Sequence, residues 1–411
     1  MQQSLQNHFV GLDIGTSTVR CVVGMVDAGD SSKPSIIGYG SAPNTGSRKG
    51  AVVHVEDATD AIIRAITEAE RIAGVQISRA TVNINGAHVE GMDSRGVIAI
   101  SSANREITPD DRMRVEEAAT VIKMPPNREI IQFFAKNYSL DGQRGIKDPL
   151  GMSGVRLEVD AHIVTAATPS LRNLDLALQG AQIMPTNHTV SSLAAAEAVL
   201  GRQQKEAGTV VLDIGAGTTN LIVIEDGEVQ HVAVLPIGGM HITNDLAIGL
   251  KTDLEVAEAV KVQHATLAET TKAVASVKVN DEMHHFKMDD VQMIVEARVE
   301  ELFEYANKEL LAIGRARKLP GGVMLAGGTA QFPGLSTFAR EQLELPARVG
   351  KLQTVSGLAD AIDDPAYFTV IGLMLLDMLL LPTAGQNGLD YGQPNSKAFG
   401  FVEGFLGRFR K

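Results

Sequence analysis

The stretch that decides the fold occurs twice, as FVGLDIGTSTVR at residues 9–20 and as VVLDIGAGTTNLIV at residues 210–223. In each copy an apolar run leads to Asp-Ile-Gly, small residues follow, and a second apolar run begins. Apolar runs of this kind predict strands, and the small residues between them predict a tight turn. Each copy is therefore predicted to be a β-hairpin whose turn carries no bulky side chain.

A turn without bulky side chains lets backbone N–H groups approach an anion such as phosphate. The acid before each turn, Asp13 in one copy and Asp213 in the other, would repel a phosphate unless a divalent cation lay between them. The sequence therefore predicts two related halves that close on one metal–nucleotide complex.

A third glycine-rich turn follows the apolar run that begins at Val323. We expect Asp13 and Asp213 to hold Mg²⁺ through water, the first two turns to enclose the β- and γ-phosphates, and the third to lie near the sugar or α-phosphate. Ordinary hairpins also need glycine, but three such turns in this order favour a nucleotide site. The residues assigned to the nucleotide on these grounds are Gly15, Thr16, Ser17, Thr18, Gly215, Gly217, Thr218, Thr219, Gly327 and Gly328.

Composition excludes several classes of protein. A chain of 411 residues predicts at least two domains, and a net charge of −12 argues against a general nucleic-acid binder. Cys21 is the only cysteine, so no intramolecular disulfide can form, and we interpret it as a core residue. The first eight residues have neither the basic nor the apolar region of a signal peptide, so we expect none. The apolar run Val370–Leu381, interrupted by Asp377, predicts a buried helix. We expect a cytoplasmic chain without a transmembrane anchor.

Strand and helix patterns alternate along the chain, which predicts an α/β fold. One face of Val55–Ala73 is apolar at helical spacing, and residues 86–160 are compact and rich in glycine and charge, which suggests an inserted subdomain. Helical patterns are predicted from Asp245 to about Lys278 and from Val291 to Arg315, separated by the polar segment Asn280–Asp290.

The paired turns and the helix before the second hairpin resemble the actin-like ATPase superfamily. Within it, the chain resembles the FtsA family of bacterial cell-division proteins over nearly its whole length. The most family-specific phrase is DGQRGIKDPLGMSGVRLE at residues 141–158, because it lies in the inserted segment. The other supporting phrases are GLDIGTS at 11–17, SRGVIAI at 94–100 and IGGMHITNDLA at 237–247.

The resemblance implies an actin-like two-domain fold with ATP in the interdomain cleft. It implies polymerisation through the insert, tethering of FtsZ filaments to the cytoplasmic face of the membrane at the division septum, and contacts with other division proteins. By position, Gly238 and Gly239 would approach the nucleotide, and Arg298 would grip the FtsZ tail. Arg298 could equally be a solvated residue paired with neighbouring acids.

The expected divisions follow the subdomain names of that family. They are 1A at 1–85 and 161–205 with 360–381 returning to it, 1C at 86–160, 2A at 206–243 and 316–359, 2B at 244–315, a linker at 382–398 and an amphipathic membrane helix at 399–411.

Two positions depart from the family pattern. Lysine is frequent where Thr18 stands, and we hypothesise that Arg20, on the same face of the strand, reaches the phosphates instead; the alternative is a surface residue. Hydrolytic members place Glu or Gln on the helix before the second hairpin to orient water, whereas Ser191 aligns there and is interpreted as an N-cap. We therefore expect a slow ATPase or an ATP-binding switch.

The C-terminal residues sort onto two faces when placed on a helix. One face is apolar, and the other carries the three basic residues of this segment. This helix could lie on an anionic membrane or dock on the protein's own body, and the basic residues, the Phe content and the linker favour the membrane. The residues assigned to the membrane are Phe399, Phe401, Val402, Phe405, Leu406, Arg408, Phe409, Arg410 and Lys411.

Rival functions on the same fold stay open. A phosphotransferase would need a catalytic base in the cleft, for which no phrase is apparent. A pilus-assembly adaptor would be expected to lack the amphipathic tail. A chaperone ATPase would need a long substrate-binding domain after the core, where barely thirty residues remain.

Overall fold

The structure is a computed structural model that describes residues 8–27, 30–102, 104–353 and 355–380. The predicted linker at 382–398 and the predicted membrane helix at 399–411 lie outside these residues. Among the helices of the described ranges, none combines the length and apolarity needed to cross a bilayer.

The described residues form an α/β architecture. The strands are β1 (His8–Ile14), β2 (Thr18–Asp27), β3 (Asp30–Pro43), β4 (Ser47–Arg48), β5 (Ala51–Val52), β6 (Arg79–Ile84), β7 (Glu90–Ala99), β8 (Arg128–Leu140), β9 (Gln143–Ile146), β10 (Arg156–Ala167), β11 (Met184–Val190), β12 (Thr209–Ile214), β13 (Thr219–Glu225), β14 (Glu228–Leu235), β15 (Val274–Val279), β16 (Glu282–Lys287), β17 (Gly322–Ala326), β18 (Ala347–Val349) and β19 (Ser356–Gly357). The helices are α1 (Val55–Ala73), α2 (Pro109–Thr120), α3 (Thr168–Gly180), α4 (Ser191–Val199), α5 (Arg202–Ala207), α6 (Gly239–Leu250), α7 (Leu254–His264), α8 (Met288–Ala312), α9 (Leu335–Leu343) and α10 (Phe368–Leu380), with 3₁₀ turns at Gly328–Gln331, Leu358–Ile362 and Pro365–Tyr367.

The first lobe is built on a six-stranded sheet in the order β11-β6-β1-β2-β3-β19. Strand β1 pairs antiparallel with β2 and parallel with β6, which confirms the first predicted hairpin. Helix α10 packs so closely on β1 that a Cβ at Gly11 would lie 2.2 Å from the carbonyl oxygen of Val370. Its Asp377 carboxylate is buried and accepts hydrogen bonds from the Val10 N–H (3.0 Å) and the Thr81 hydroxyl (2.8 Å). The predicted buried helix is thus confirmed.

The predicted apolar face of α1 is also confirmed. Its buried residues are Ala58, Ala61, Ile62, Ala65, Ile66 and Ala69. Cys21 is fully buried on β2, as expected of a core residue.

The second lobe repeats the arrangement of the first. Its five-stranded sheet has the order β14-β13-β12-β17-β18, and β12 pairs antiparallel with β13 and parallel with β17. Strand β12 is buried on both faces: Val210 joins the core of the second lobe, and Val211 joins that of the first. A strand buried on both faces needs a continuous apolar run, which is what made both hairpins visible in the sequence.

A separate four-stranded sheet in the order β7-β10-β8-β9 packs against α2. Helix α2 begins with a capping box in which the Thr108 hydroxyl accepts from the Asp111 N–H (3.3 Å) while the Asp111 carboxylate accepts from the Thr108 N–H (3.1 Å). The predicted boundary at residue 160 falls inside β10, which runs on to Ala167. The boundaries of the other subdomains stay predictions.

The predicted helix from Asp245 to Lys278 is wrong at both ends. Helix α6 begins at Gly239, and Lys251, at φ +55°, separates it from α7. Residues 274–287, including part of the predicted polar segment Asn280–Asp290, form the β15–β16 hairpin. Ala275 and Val277 are buried at alternate positions, but two buried positions between helical patterns are too few to predict a strand.

Candidate functional site

The two hairpins bring equivalent turns to one cleft. The Gly15 N–H donates to the Thr18 carbonyl at 3.1 Å, and the Gly215 N–H donates to the Thr218 carbonyl at 2.9 Å. A Cβ at Gly217 would lie 2.6 Å from the Thr16 hydroxyl oxygen, so the two turns lie against each other. Between the lobes is a cleft of about 500 Å³.

Most of the residues predicted to bind nucleotide line this cleft. Those that line it are Asp13, Gly15, Thr16, Ser17, Thr18, Arg20, Asp213, Gly215, Thr218, Gly239, Gly327 and Gly328. Three others, Gly217, Thr219 and Gly238, lie outside the lining. Their assignment to the nucleotide stays a prediction.

The segment 237–239, which leads into α6, covers Gly238 and Thr219, whereas Gly217 faces Thr16 and Lys49. Its Gly239 N–H donates to the Gly215 carbonyl (2.9 Å), and the Met240 N–H donates to the Ala216 carbonyl (2.7 Å). A Cβ at Gly238 would lie 2.5 Å from the same Gly215 oxygen, so only glycine fits there. The Thr219 hydroxyl is buried and donates to the Ile237 carbonyl (2.8 Å).

The two predicted magnesium carboxylates face the cleft and are nearly buried. Burial raises the pKa of Asp13 to about 7; the charge of Arg20 lowers it and that of Asp213 raises it further. Burial also raises the pKa of Asp213 to about 6, although hydrogen bonds from Thr369 (3.1 Å) and Asn220 (3.3 Å) and the charge of Arg20 oppose the shift. Ionising both carboxylates is therefore unfavourable unless a cation joins them.

Magnesium fits this donor set. Within the described residues no group of three or more His, Cys, Asp or Glu side chains could hold a metal ion by itself. Mg²⁺ usually keeps several waters and is bound through one or two carboxylates plus substrate phosphates. Asp13 and Asp213 would supply the carboxylates, and the hydroxyl-rich turns would face the phosphates.

Arg20 lies in the cleft, as the hypothesis requires. Its guanidinium carbon lies 5.3 Å from the centroid of the Tyr367 ring. Its side chain makes no hydrogen bond or direct ion pair with any residue that the structure describes, although its charge lowers the pKa of Asp13 and Asp213. The N–H groups of this half-buried guanidinium are therefore available to an incoming anion.

The third turn reaches the second acid. Gly327 has φ +83°, and a Cβ there would lie 2.5 Å from the Ile214 carbonyl oxygen and 2.7 Å from an Asp213 carboxylate oxygen. Its N–H donates to the Pro365 carbonyl at 3.0 Å. This glycine therefore allows the third turn to approach the second hairpin.

Glu258 and Lys261 of α7 also line the cleft and were not predicted. Lys261 is buried, and its ammonium donates to the Glu258 carboxylate (2.6 Å), the Thr243 hydroxyl (2.8 Å) and the Gly239 carbonyl (3.3 Å). Their spacing of three was visible in the sequence, but such pairs ordinarily mark a solvated helix face. The remaining unpredicted lining residues are Asn85, Ala216, Asn220, Val262, Ala265, Thr329, Gln331, Phe332, Pro333, Ala366 and Thr369.

The interpretation of Ser191 as an N-cap is wrong. Val190 is the N-cap of α4, and Ser191 is its first helical residue. The Ser191 hydroxyl is buried, lines the cleft and accepts a hydrogen bond from the Asn83 amide at 3.1 Å. Asn83 of β6 thus holds the Ser191 hydroxyl in position. A Glu or Gln side chain at residue 191 would extend further into the cleft.

Arg298 is engaged within the second lobe. It pairs with Asp245 of α6, with one contact at 2.9 Å, and with Glu301 three residues along α8. Its side chain is one-quarter exposed, and these acids raise its pKa. The predicted pairing with neighbouring acids is confirmed, and a role in binding a partner stays a prediction.

Two lobes with matching hairpins and a cleft between them define an actin-like protein. Two solved structures share this fold. The PilM–PilN type IV pilus biogenesis complex aligns with a TM-score of 0.66 at 18% identity, over 90% of this chain and 98% of that one. MreB5 of Spiroplasma citri bound to ADP aligns with a TM-score of 0.52 at 13% identity, over 90% of this chain and 95% of that one.

Sequence comparison narrows this class to one family. The family model for the SHS2 domain inserted in FTSA matches residues 86–165, and the model for cell division protein FtsA matches residues 210–372. FtsA of Pseudomonas aeruginosa is 36% identical over 371 residues, which cover 89% of this chain and 88% of that protein. FtsA of Bacillus subtilis is 37% identical over 372 residues, covering 89% and 82%. The chain belongs to the FtsA family of cell-division proteins.

Proposed function

We propose that this FtsA-family chain binds Mg²⁺–ATP in the cleft, polymerises on the cytoplasmic face of the membrane and tethers FtsZ filaments there at the division septum. The observation that carries the nucleotide part is the pair of buried acids, Asp13 and Asp213, set beside matching turns in one cleft. Family membership supports the cell-division part.

The first turn is proposed to form the phosphate-binding side of the cleft. Thr16 and Thr18 are half-buried and Ser17 is exposed, and the Thr16 hydroxyl accepts a hydrogen bond from the Gly50 N–H at 2.9 Å. Arg20 brings a positive charge to the same hairpin. Magnesium would neutralise charge between the carboxylates and the phosphates, and the turns would orient the nucleotide.

The site is proposed to act as an ATP-dependent switch that hydrolyses ATP slowly. Ser191 occupies the helix position where hydrolytic relatives place Glu or Gln, and its short side chain is held by Asn83. Serine at a helix start cannot extend as far as Glu or Gln to orient an attacking water. A turnover number near ~1 s⁻¹ or above would contradict this proposal, since that is ordinary enzyme speed.

Membrane attachment is assigned to residues 399–411. Six apolar side chains, each contributing ~1–2 kcal/mol at partial burial, outweigh three cations at about 1 kcal/mol each. Phe405→Glu should therefore release the full chain from anionic liposomes, whereas Arg408→Ala should only weaken binding. Equal losses would overturn this ranking.

The tethering proposal is tested by liposome sedimentation with FtsZ, with and without ATP, and with and without residues 399–411. We expect FtsZ to sediment only when ATP and the tail are both present. Arg298→Ala should reduce FtsZ recovery without changing lipid binding. Arg315→Ala is a matched control, because Arg315 also pairs with an acid, Glu225 at 2.6 Å, and should leave recovery unchanged.

A further inference from the structure

A groove outside the nucleotide cleft lies between α3 and β11. It is lined by Asp175 and Gln179 of α3, Gln182 of the following turn, and Met184, Pro185 and His188 of β11. Its volume is about 500 Å³, and it is open to solvent, so it would cover one side of an apolar group. The Met184 side chain, which contributes to the lining, is 65% exposed at the start of β11, the edge strand of the six-stranded sheet.

The described residues end near the same end of the six-stranded sheet as this groove. Helix α10 ends at Leu380, and in its last turn Asp377 is bonded to Val10 and Thr81 and lies within electrostatic range of Arg79. Arg79 is the register partner of Met184. Leu380 therefore lies near the end of the sheet where the groove opens.

We propose that residues 399–411 of the same chain dock in this α3–β11 groove when no membrane is present. The proposal rests on the tail being the membrane-binding segment, so that groove and lipid compete for one apolar helix face. Residues 381–398 are long enough, since a chain of this length and composition spans roughly 20–25 Å. Tethering at that range gives the tail an effective concentration on the order of millimolar.

The chemistry of the groove matches the tail. Met184 and Pro185 offer an apolar floor to the Phe residues, and the Asp175 carboxylate, 55% exposed and 3.1 Å from His188, offers a negative edge to Arg408 and its basic neighbours. An aromatic side chain buries enough area to anchor such a contact. Docking would keep the apolar face away from water and from other copies until lipid displaces it.

Cross-linking tests the contact directly in the full chain. Because Cys21 is fully buried and is the only native cysteine, the pair Met184→Cys with Leu406→Cys can be joined selectively by a short bismaleimide. We expect an intramolecular cross-link in lipid-free protein and at least a fivefold lower yield with vesicles of phosphatidylglycerol and phosphatidylethanolamine. The matched control is Met293→Cys with Leu406→Cys, because Met293 on α8 is 64% exposed.

The cross-linking yields decide whether the tail docks on its own chain. Equal yields from the two pairs, or products of dimer size only, would overturn intramolecular docking. As a second measurement, Met184→Asp should tighten vesicle binding several-fold by removing the competitor, whereas Met293→Asp, which adds the same charge, should not. Failure of the full chain to bind vesicles would overturn the membrane role of the tail, while the cross-link would still report on the groove.

Discussion

The hairpins β1–β2 and β12–β13 have the same register but place different partners opposite their acids. Asp13 lies opposite Arg20, whereas Asp213 lies opposite Asn220. The first acid is therefore faced by a cation, and the second by neutral donors, of which Thr369 is another. One backbone pattern thus supports two electrostatic environments in a single site.

The hairpins also differ in how far their turns are covered. Thr16 and Thr18 of the first turn are partly exposed, whereas Gly217 and Thr218 of the second are buried, Gly217 against Thr16 and Thr218 beside Gly238 at the start of α6. The second turn is therefore less accessible than the first, and hydrogen bonds to the start of α6 fix its position. We infer that the first hairpin interacts with the ligand's charge and that the second positions it.

The largest expected effect tests whether the two acids act as a pair. Asp13→Asn and Asp213→Asn should each weaken Mg²⁺-dependent ATP binding by roughly 10–100-fold, the loss typical when an outer-shell partner of a metal is removed. Titration of a fluorescent ATP analogue with Mg²⁺ and with EDTA measures this. Asp175→Asn, outside the cleft, is the control. If affinity in EDTA falls as much as in Mg²⁺, the acids do not act through a cation.

The second test separates the residues opposite the acids. Arg20→Ala should weaken ATP binding by about tenfold, because a charge-assisted hydrogen bond contributes roughly 1.5–3 kcal/mol, whereas Asn220→Ala should change it only about twofold. Arg20→Lys should recover part of the loss. Unchanged affinity in Arg20→Ala would instead assign Arg20 to its contact with Tyr367.

The third test uses pH. Each acid has a raised pKa in the folded state, so it holds a proton that the unfolded chain has already lost above about pH 4. The folded state then binds more protons, and these groups make the ligand-free protein less stable as pH rises, by about 1.4 kcal/mol per pH unit for each acid. The effect ends near pH 6 for Asp213 and near pH 7 for Asp13.

Melting temperatures of ligand-free protein between pH 5 and pH 8 resolve the two windows. Asp13→Asn should remove most of the decline between pH 6 and pH 7, and Asp213→Asn should remove mainly the decline below pH 6. Saturating Mg²⁺–ATP should flatten the curve of the wild type, because a cation favours the ionised acids. A wild-type curve equally steep with and without ligand would contradict this account.

Local patterns predicted the elements whose residues bury one face or both. The hairpins, α1 and α10 were visible because burial imposes an apolar period on each. The short β15–β16 hairpin was missed, because six-residue strands between helical patterns carry too few buried positions to establish a period of two. The start of α6 was also missed, because glycines 238 and 239 resemble a turn rather than a helix start.

The part of the site whose acids and glycines lie together in one short turn was predictable from the sequence. Asp13, Asp213 and the glycines beside them belong to short phrases, so sequence alone pointed to them. Lys261 and Thr369 reach the cleft only because distant helices fold over it, and neither has a local signature. Which turn residues are buried depends on how α6 and the first lobe pack on the second turn, so sequence alone could not distinguish the buried Gly217 and Thr219 from the exposed Ser17.

The smallest expected effect on stability concerns Thr369, one of the neutral donors to Asp213. Thr369→Val keeps the shape of the side chain but removes the hydroxyl that donates to Asp213 at 3.1 Å. Since that bond lowers the pKa of Asp213, its loss should raise the pKa further and shift the lower stability window upward in pH. The expected loss is about 1 kcal/mol or less at pH 8, the usual net value of one hydrogen bond. Thr369→Ser should behave as wild type, since it keeps the donor. If Thr369→Ser loses stability and Thr369→Val does not, packing of the Thr369 methyl against the cleft wall, and not the hydrogen bond, distinguishes Asp213 from Asp13.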